Sequence, residues 1–282
     1  MRLHETDPRA TTRIPNVLRF RPEFDILLFL ILVALGQPAS AQQPDAAPVA
    51  DRAPLTAEQV VHNLVQMNLH RLQALQAYQG TRIYRVEYRG FPGSRSAEMA
   101  VNVKYLSPGT KEFTIQSATG SSLIINRVLK KLLEAEQEAL DTEAQQRSAL
   151  NDDNYWFTLI GYESGSSGAT YVLQVEPRRK DKFLYRGRIW VNAGDFAIER
   201  LEAEPAKNPS FWTKKTEIVQ VYRKVNDFWL PAHNHSATTI RLGGHAELTI
   251  DYNDYKITGA NRVSGPSTAQ ATSHGETARA HE

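Results

Sequence analysis

Cysteine is absent from the chain. That excludes a disulfide framework, a thiolate metal site, a thiol nucleophile and lipidation on an N-terminal cysteine. A charge excess of one sign is missing too: 33 Lys and Arg stand against 31 Asp and Glu, a net charge of +2. No dense Lys/Arg stripe interleaved with aromatics appears, so nucleic acid is not an expected partner. There is no Gly-rich phosphate loop followed by Lys-Ser/Thr, and no dinucleotide fingerprint after a strand-like run. A nucleophile elbow is lacking as well. Gly161-Tyr-Glu-Ser-Gly165 has that outline only with the serine one position out of place. Carboxylates are scattered at ordinary density, and none pairs with another in an acid–base pattern. Neither an enzyme nor a cofactor is expected.

Long apolar runs are scarce, and the one that stands out lies near the front. Arg13, Arg19 and Arg21 precede an unbroken apolar stretch from Ile26 to Leu35. Gly36 and Pro38 break it, and Ala39-Ser40-Ala41 supplies a small-x-small cleavage pattern. As a helix the stretch spans about 15 Å, against about 30 Å of bilayer hydrocarbon. Residues 1–41 therefore read as a signal peptide and residues 42–54, rich in Ala, Pro and Gln, as a flexible linker. A folded domain is expected over residues 55–258. A Ser/Thr/Ala/Gly-rich disordered tail is expected over residues 259–282.

Within the domain, Thr56-Ala-Glu-Gln59 matches a capping box and opens an amphipathic helix to about Gln76. Its apolar face carries Val60, Val61, Leu64, Met67, Leu72 and Leu75. Three alternating segments follow. Tyr84, Val86 and Tyr88 share a face in the first, opposite Arg85, Glu87 and Arg89; Met99, Val101, Val103 and Tyr105 share one in the second, and Phe113 and Ile115 in the third. Phe91-Pro-Gly93 and Ser107-Pro-Gly109 mark the turns. Period-two alternation means one dry face and one wet face, as in an antiparallel sheet. The pattern then stops. Ser121 to about Leu150 lacks Gly and Pro and reads as one long helix whose first half is strongly apolar.

Strands resume from Tyr155 and run to Ile257. The next segments are Tyr171–Val175, a strand with Phe183, Tyr185, Ile189 and Val191 on one face, and Ala197–Ala203. Then come Glu217–Val225, Phe228–Leu230, Ser236–Leu242 and His245–Tyr255. Asn192-Ala-Gly-Asp195, Asn226-Asp227 and Gly243-Gly244 punctuate them as hairpins. The expected class is α+β, mostly β. It is a curved antiparallel half-barrel sheet of about ten strands, with two helices packed on its concave side.

One pattern points toward chemistry. In His233-x-His235, i and i+2 on a strand face the same way, and His245 and Asp251 lie in the following segment. A metal-dependent hydrolase built there is an alternative reading, with solvent-facing histidines the simpler one. His62 and His70 lie two turns apart on the first helix, too far for one ion.

The order of elements resembles that of periplasmic lipoprotein carriers of the LolA type. So do the segments Tyr171-Val-Leu-Gln-Val-Glu-Pro177, Phe183-Leu-Tyr-x-Gly-x-Ile-Trp-Val191 and Ile198-Glu-Arg-Leu201. Ala206-Lys-Asn-Pro-Ser-Phe-Trp212, Phe228-Trp-Leu-Pro-Ala232 and Ile240-Arg-Leu-Gly-Gly244 look like a branch described as outer-membrane lipoprotein-sorting proteins. The resemblance covers about Leu55 to Ile257. It departs from the pattern in the long, charged second half of the inserted helix.

The resemblance implies a periplasmic, non-catalytic carrier that shields acyl chains of lipoproteins or lipids on the way to the outer membrane. Implied partners are those acylated clients, an inner-membrane donor and an outer-membrane acceptor. It equally admits a lipid- or lipoprotein-sensing regulatory domain acting on a membrane partner. Shielding matters because each exposed CH₂ costs about 0.8 kcal/mol, or roughly 12 kcal/mol for a chain of about sixteen carbons. By alternation, Tyr84, Val86, Tyr88, Met99, Val101, Val103, Phe113 and Ile115 are candidates for the concave, lipid-binding face. Leu129, Leu132 and Leu133 are candidates for a lid. Alternation alone does not assign which sheet face is concave.

Overall fold

The computed structural model describes residues 55–138, 146–165, 168–181, 183–208, 211, 213–241 and 243–263. The expected signal peptide and linker, and the tail beyond residue 263, lie outside the described residues.

Helix α1 (Ala57–Ala74) begins as its sequence requires. The Thr56 hydroxyl accepts from the Gln59 backbone N–H at 3.3 Å, and Gln59 Oε1 accepts from the Thr56 N–H at 3.0 Å. This reciprocal pair satisfies two donors that the first helical turn leaves open. Ten strands follow in the chain: β1 (Leu75–Arg89), β2 (Arg95–Leu106), β3 (Thr110–Gly120), β4 (Tyr155–Gly165), β5 (Gly168–Pro177), β6 (Tyr185–Asn192), β7 (Ile198–Pro205), β8 (Thr213–Val225), β9 (Phe228–Ile240) and β10 (Gly244–Ala260). They form one open, curved antiparallel sheet in the order β3-β2-β1-β10-β9-β8-β7-β6-β5-β4. Every neighbour is a hairpin partner except β1 and β10, which close the two halves over thirteen register pairs from Leu75↔Ala260 to Arg89↔His245.

This order puts β3 and β4, consecutive in sequence, at opposite edges of the sheet. The chain between them must therefore cross the sheet. It does so as an inserted helix, residues 122–138, made of α2 (Ser122–Ile124), a π-helical turn (Ile125–Leu129) and α3 (Lys130–Glu138). Residues 146–148 are helical again, in keeping with an expected end at about Leu150, but the expected helix is not regular throughout. The π turn interrupts it, and the chain at Ala149 and Leu150 is already non-helical. Residues 139–145 lie outside the described set.

Both helices cover the same sheet face. Register links Val103, Val101 and Met99 through Tyr84, Ile250, Asn234, Gln220, Leu201, Ile189 and Leu173 to Leu159, all on one side. On the β4–β8 half, α1 packs Val60, Val61, Leu64 and Met67 against Leu173, Val175, Ile189 and Ile218. On the β1–β3 and β10 half, the inserted helix packs Ile124, Leu129, Leu132 and Leu133 against Tyr84, Val86, Met99, Val101 and Val103. Arg71 in the last turn of α1 donates to the carbonyls of Asp195 (2.8 Å) and Phe196 (2.6 Å), pinning the helix to the β6–β7 turn. Burial lowers its pKa to about 10.

Three boundaries differ from the sequence reading. Phe183 precedes β6 in a turn. The segments expected at Phe228–Leu230 and Ser236–Leu242 are one strand, β9, running through Pro231. Pro231 pairs with Tyr222 at a bulge, and the β9–β10 ladder starts only at His233, so its missing N–H interrupts no bond to β10. Finally, β10 runs to Ala260, and the Asn261 N–H donates to the Ala74 carbonyl at 2.8 Å, so ordered chain overlaps the start of the expected tail.

Gly187 on β6 has φ +153°, and a Cβ there would lie 2.0 Å from the Glu202 carbonyl oxygen and 2.7 Å from the Ala203 Cα. Gly187→Ala is expected to destabilise the fold by more than ~1 kcal/mol, read as a lowered urea midpoint. An unchanged midpoint would show that β6 and β7 are not packed this closely.

Candidate functional site

The eight sheet residues expected on the concave face lie on one face, and it is the face the helices cover. Tyr84 pairs with Met99, Val101 with Ile115 and Val103 with Phe113. They are brought together as packed core under the inserted helix. Met99 and Val101 are 0% exposed, Val103 1% and Leu129 0%. Leu132 and Leu133 are buried on the same seam. Two members mark the rim. Ile115 sits on edge strand β3 and is 41% exposed, and Tyr88 donates its hydroxyl to the Phe91 carbonyl at 2.7 Å.

The cover is fastened by ions. Arg82 on β1 shares the face of Tyr84 and Val86, and Glu136 lies one stripe beyond Leu129, Leu132 and Leu133 on the inserted helix. Arg82 donates to Glu136 Oε2 at 2.6 Å and Lys111 of β3 donates to Glu136 Oε1 at 2.7 Å. Arg82 also donates to the Tyr84 hydroxyl at 3.2 Å, and its guanidinium lies 5.0 Å from the Tyr252 ring centroid. All three ionic side chains are at most 9% exposed. Burial pushes the Glu136 carboxyl up, but Lys111 and Arg82 outweigh it and hold its pKa down at about 2. Burial disfavours the Arg82 cation, yet Glu136 keeps it charged and its pKa well above the usual value. Burial pushes the Tyr84 phenol up to about 12.

Between the two apolar halves lies a polar belt on β8 and β9. Thr216 and Thr238 share a hydroxyl hydrogen bond at 3.1 Å. Asn234 donates to Gln220 Oε1 at 2.8 Å and accepts from the Ser236 hydroxyl at 3.2 Å. Gln220 donates to the His233 carbonyl at 3.1 Å. All five side chains belong to buried residues, so the belt is a satisfied network that divides the interior in two.

Sequence reasoning missed the fastening and the belt, although both left a signal. Arg82 falls in the phase of Tyr78, Tyr84, Val86 and Tyr88, the apolar side of its strand. Glu136 completes the i, i+3, i+4, i+7 stripe begun by Leu129. Charges in those phases had to be buried or to displace the apolar face.

The histidines face the other way, on the uncovered side of the sheet. His233 Nδ1 and Asp251 Oδ1 are 2.8 Å apart, and Arg85 bridges Asp251 (2.5 Å) to Glu98 (2.8 Å). His235 and His245 instead approach Glu247, at 3.7 and 3.2 Å. Each His side chain is more than 40% exposed, and no group of His, Asp or Glu among the described residues is arranged to hold a metal ion.

Comparison with known proteins gives a partial match. A family model described as a family of unknown function, DUF5686, matches residues 147–255. No curated protein matches. Among solved structures, a DUF1329 family protein from Desulfovibrio piger is 13% identical, with a TM-score of 0.36, over 72% of this chain and 93% of that one. An outer membrane lipoprotein-sorting protein domain from Vibrio parahaemolyticus is 12% identical at TM-score 0.35, over 72% and 93%. A LolA superfamily protein from Nitrosomonas europaea is 13% identical at TM-score 0.35, over 74% and 96%. TM-scores this low transfer neither function nor site residues, so function has to come from the side chains of this chain.

Glu136→Ala leaves Arg82 and Lys111 buried without a counter-ion. We expect it to cost about 3–5 kcal/mol of unfolding free energy, and an Arg82→Met, Lys111→Met, Glu136→Leu triple variant to recover most of that loss. The folded pKa of Glu136, about 2, lies below its ordinary 4.5. Its stabilisation is therefore complete above about pH 4.5 and is lost as pH falls toward 2. Glu136→Gln should flatten that limb of the stability–pH curve. An identical acid limb in both proteins would show that the ion triad is not formed.

Proposed function

We propose that the chain is an exported, non-catalytic carrier that shelters acyl chains of lipids or lipoproteins under the inserted helix. One observation carries this reading: an apolar sheet face is closed by a segment that belongs to neither sheet edge and whose described first half, residues 122–138, is fastened by one buried ionic cluster. An ordinary core is sealed by elements that pack on every side. Here the cover strings across from β3 to β4, contains a π-helical turn and touches the sheet through a seam of Ile124, Leu129, Leu132 and Leu133 plus Glu136. A π turn mid-helix often marks a functional break in regular structure.

Lifting this helix would bare Met99, Val101, Val103, Tyr84 and Val86, a surface whose formal charges are Arg82 and Lys111. An acyl chain can replace the Leu and Ile side chains there one methylene group for another, with little net change in buried apolar area. Release follows from the same exchange in reverse. Recognition needs no rigid polar pocket, which suits clients that differ outside their acyl chains. The N-terminal Arg-flanked apolar run with its Ala39-Ser-Ala41 site supports export to the periplasm. Donor and acceptor proteins at the inner and outer membranes are partners this role requires.

The test is uptake of a fluorescent fatty acid, with native mass spectrometry to count bound chains. Wild-type protein should take up the probe, and Glu136→Gln, with a weakened fastening, should take it up several-fold faster at unchanged stoichiometry. If neither protein binds the probe at micromolar concentration, the carrier reading fails.

A further inference from the structure

The hairpin connections at one end of the sheet are basic and those at the other end are not, although the chain entering β4 at the basic end also carries the exposed Asp152 and Asp153. The β1–β2, β5–β6, β7–β8 and β9–β10 connections share an end, as the pairs Tyr88↔Arg95, Arg89↔His245, Tyr185↔Pro205, Tyr155↔Pro177 and Thr213↔Ile240 require. In or beside them stand Arg89, Arg95, Arg178, Arg179, Lys180, Lys207, Lys214, Lys215 and Arg241. Asp181 accompanies them and is engaged by Arg147 and Arg179. Strand carboxylates occupy Arg89 (Glu87) and Lys215 (Glu204, Glu217). Among the described residues, no carboxylate pairs with Arg95, Lys180, Lys207, Lys214 or Arg241. The connections at the opposite end carry Asp195 and Asp227 and no Lys or Arg. Lys224 and Lys111 near that end are taken by Asp195 and Glu136, while among the described residues Lys104 and Arg262 there pair with no carboxylate, so the contrast lies in the connections themselves.

The same basic end bears the two most exposed large apolar side chains, Phe91 at 87% and Phe211 at 75%. Leu123, at 48%, starts the inserted helix where it leaves β3 at this end. Phe91 is held outward by rigid structure. The Tyr88 hydroxyl bonds its carbonyl at 2.7 Å, Gly93 N–H donates to the Gly90 carbonyl at 2.6 Å, and the Tyr88 ring packs on Gly244 so closely that a Cβ there would meet it at 2.9 Å. Arg241 lies 5.2 Å from the Phe211 ring centroid, so cation and aromatic form one unit. Aromatic tips set among unpaired cations on a row of loop ends fit a flat anionic interface, where phosphates take the cations and rings enter the acyl boundary.

We propose that this end of the sheet docks on a membrane containing anionic phospholipid. The site is independent of the carrier reading, though it sets the start of the inserted helix at the lipid surface. The test is co-sedimentation of the full chain with vesicles of phosphatidylcholine, with and without phosphatidylglycerol. The apolar run Ile26–Leu35 acts alike on both vesicle types and in every variant, so the preference for phosphatidylglycerol is what is read. A Lys207→Glu, Lys214→Glu, Arg241→Glu variant should lose about tenfold or more of that preference. A control of equal net charge at exposed positions away from this end, Lys104→Glu, Lys256→Glu, Arg262→Glu, should retain it. Phe91→Ser with Phe211→Ser should weaken binding while leaving its salt dependence in place. Thermal melts confirm folding of each variant. Equal binding of wild type to both vesicle types, or equal loss in the control, overturns the proposal.

Discussion

Three charges buried where the sheet should be greasiest decide how this molecule is closed. Arg82, Lys111 and Glu136 come from β1, β3 and the inserted helix, and meet at 2.6 and 2.7 Å with almost no water. Apolar residues of similar volume would often be as stable or more so. What ions add is direction and conditionality. An apolar seam tolerates sliding by a turn, whereas a carboxylate held between two cations fixes one register of the helix on the sheet. A buried charge that loses its partner is also costly, so under the proposed role opening would have to find new partners for all three charges.

The topology explains why such a fastening is needed. With β3 and β4 at opposite edges, the segment between them cannot become an edge strand or a short hairpin. It must cross the covered face, where α1 already occupies the β4–β8 half. The two helices therefore divide the interior, and the polar belt from Thr216 to Asn234 runs down the division. The belt satisfies itself, so the two apolar clusters can change independently. In this arrangement α1 is anchored by Arg71 to the β6–β7 turn, and the proposed carrier role assigns the response to the inserted helix.

Much of this was legible in the sequence because local chemistry determined it. The capping box at Thr56, the alternation through Tyr84, Val86 and Tyr88, and the Asn226-Asp227 and Gly243-Gly244 turns all act within a few residues. The candidate lipid-facing set also lay together on one face, as alternation required. What lay beyond reach was long-range. Pairing of β1 with β10 joins residues far apart in sequence and has no local signal. Pro231 looked like a strand break because its tolerance depends on where the β9–β10 ladder begins. Arg82 and Glu136 each stand in an apolar phase, but only the register of helix on sheet places them face to face.

The central claim is that the inserted helix is a movable cover and not a fixed part of the core. Native-state hydrogen exchange measures this directly, by comparing amides of residues 122–138 with those of β1 and β2, with and without a soluble fatty acid. The account predicts that helix amides exchange by a local opening, well below the free energy of global unfolding, and that the fatty acid alters their exchange while leaving β1 and β2 unchanged. Exchange of the helix only through global unfolding, at the same free energy as β1 and β2 and indifferent to the fatty acid, would contradict it.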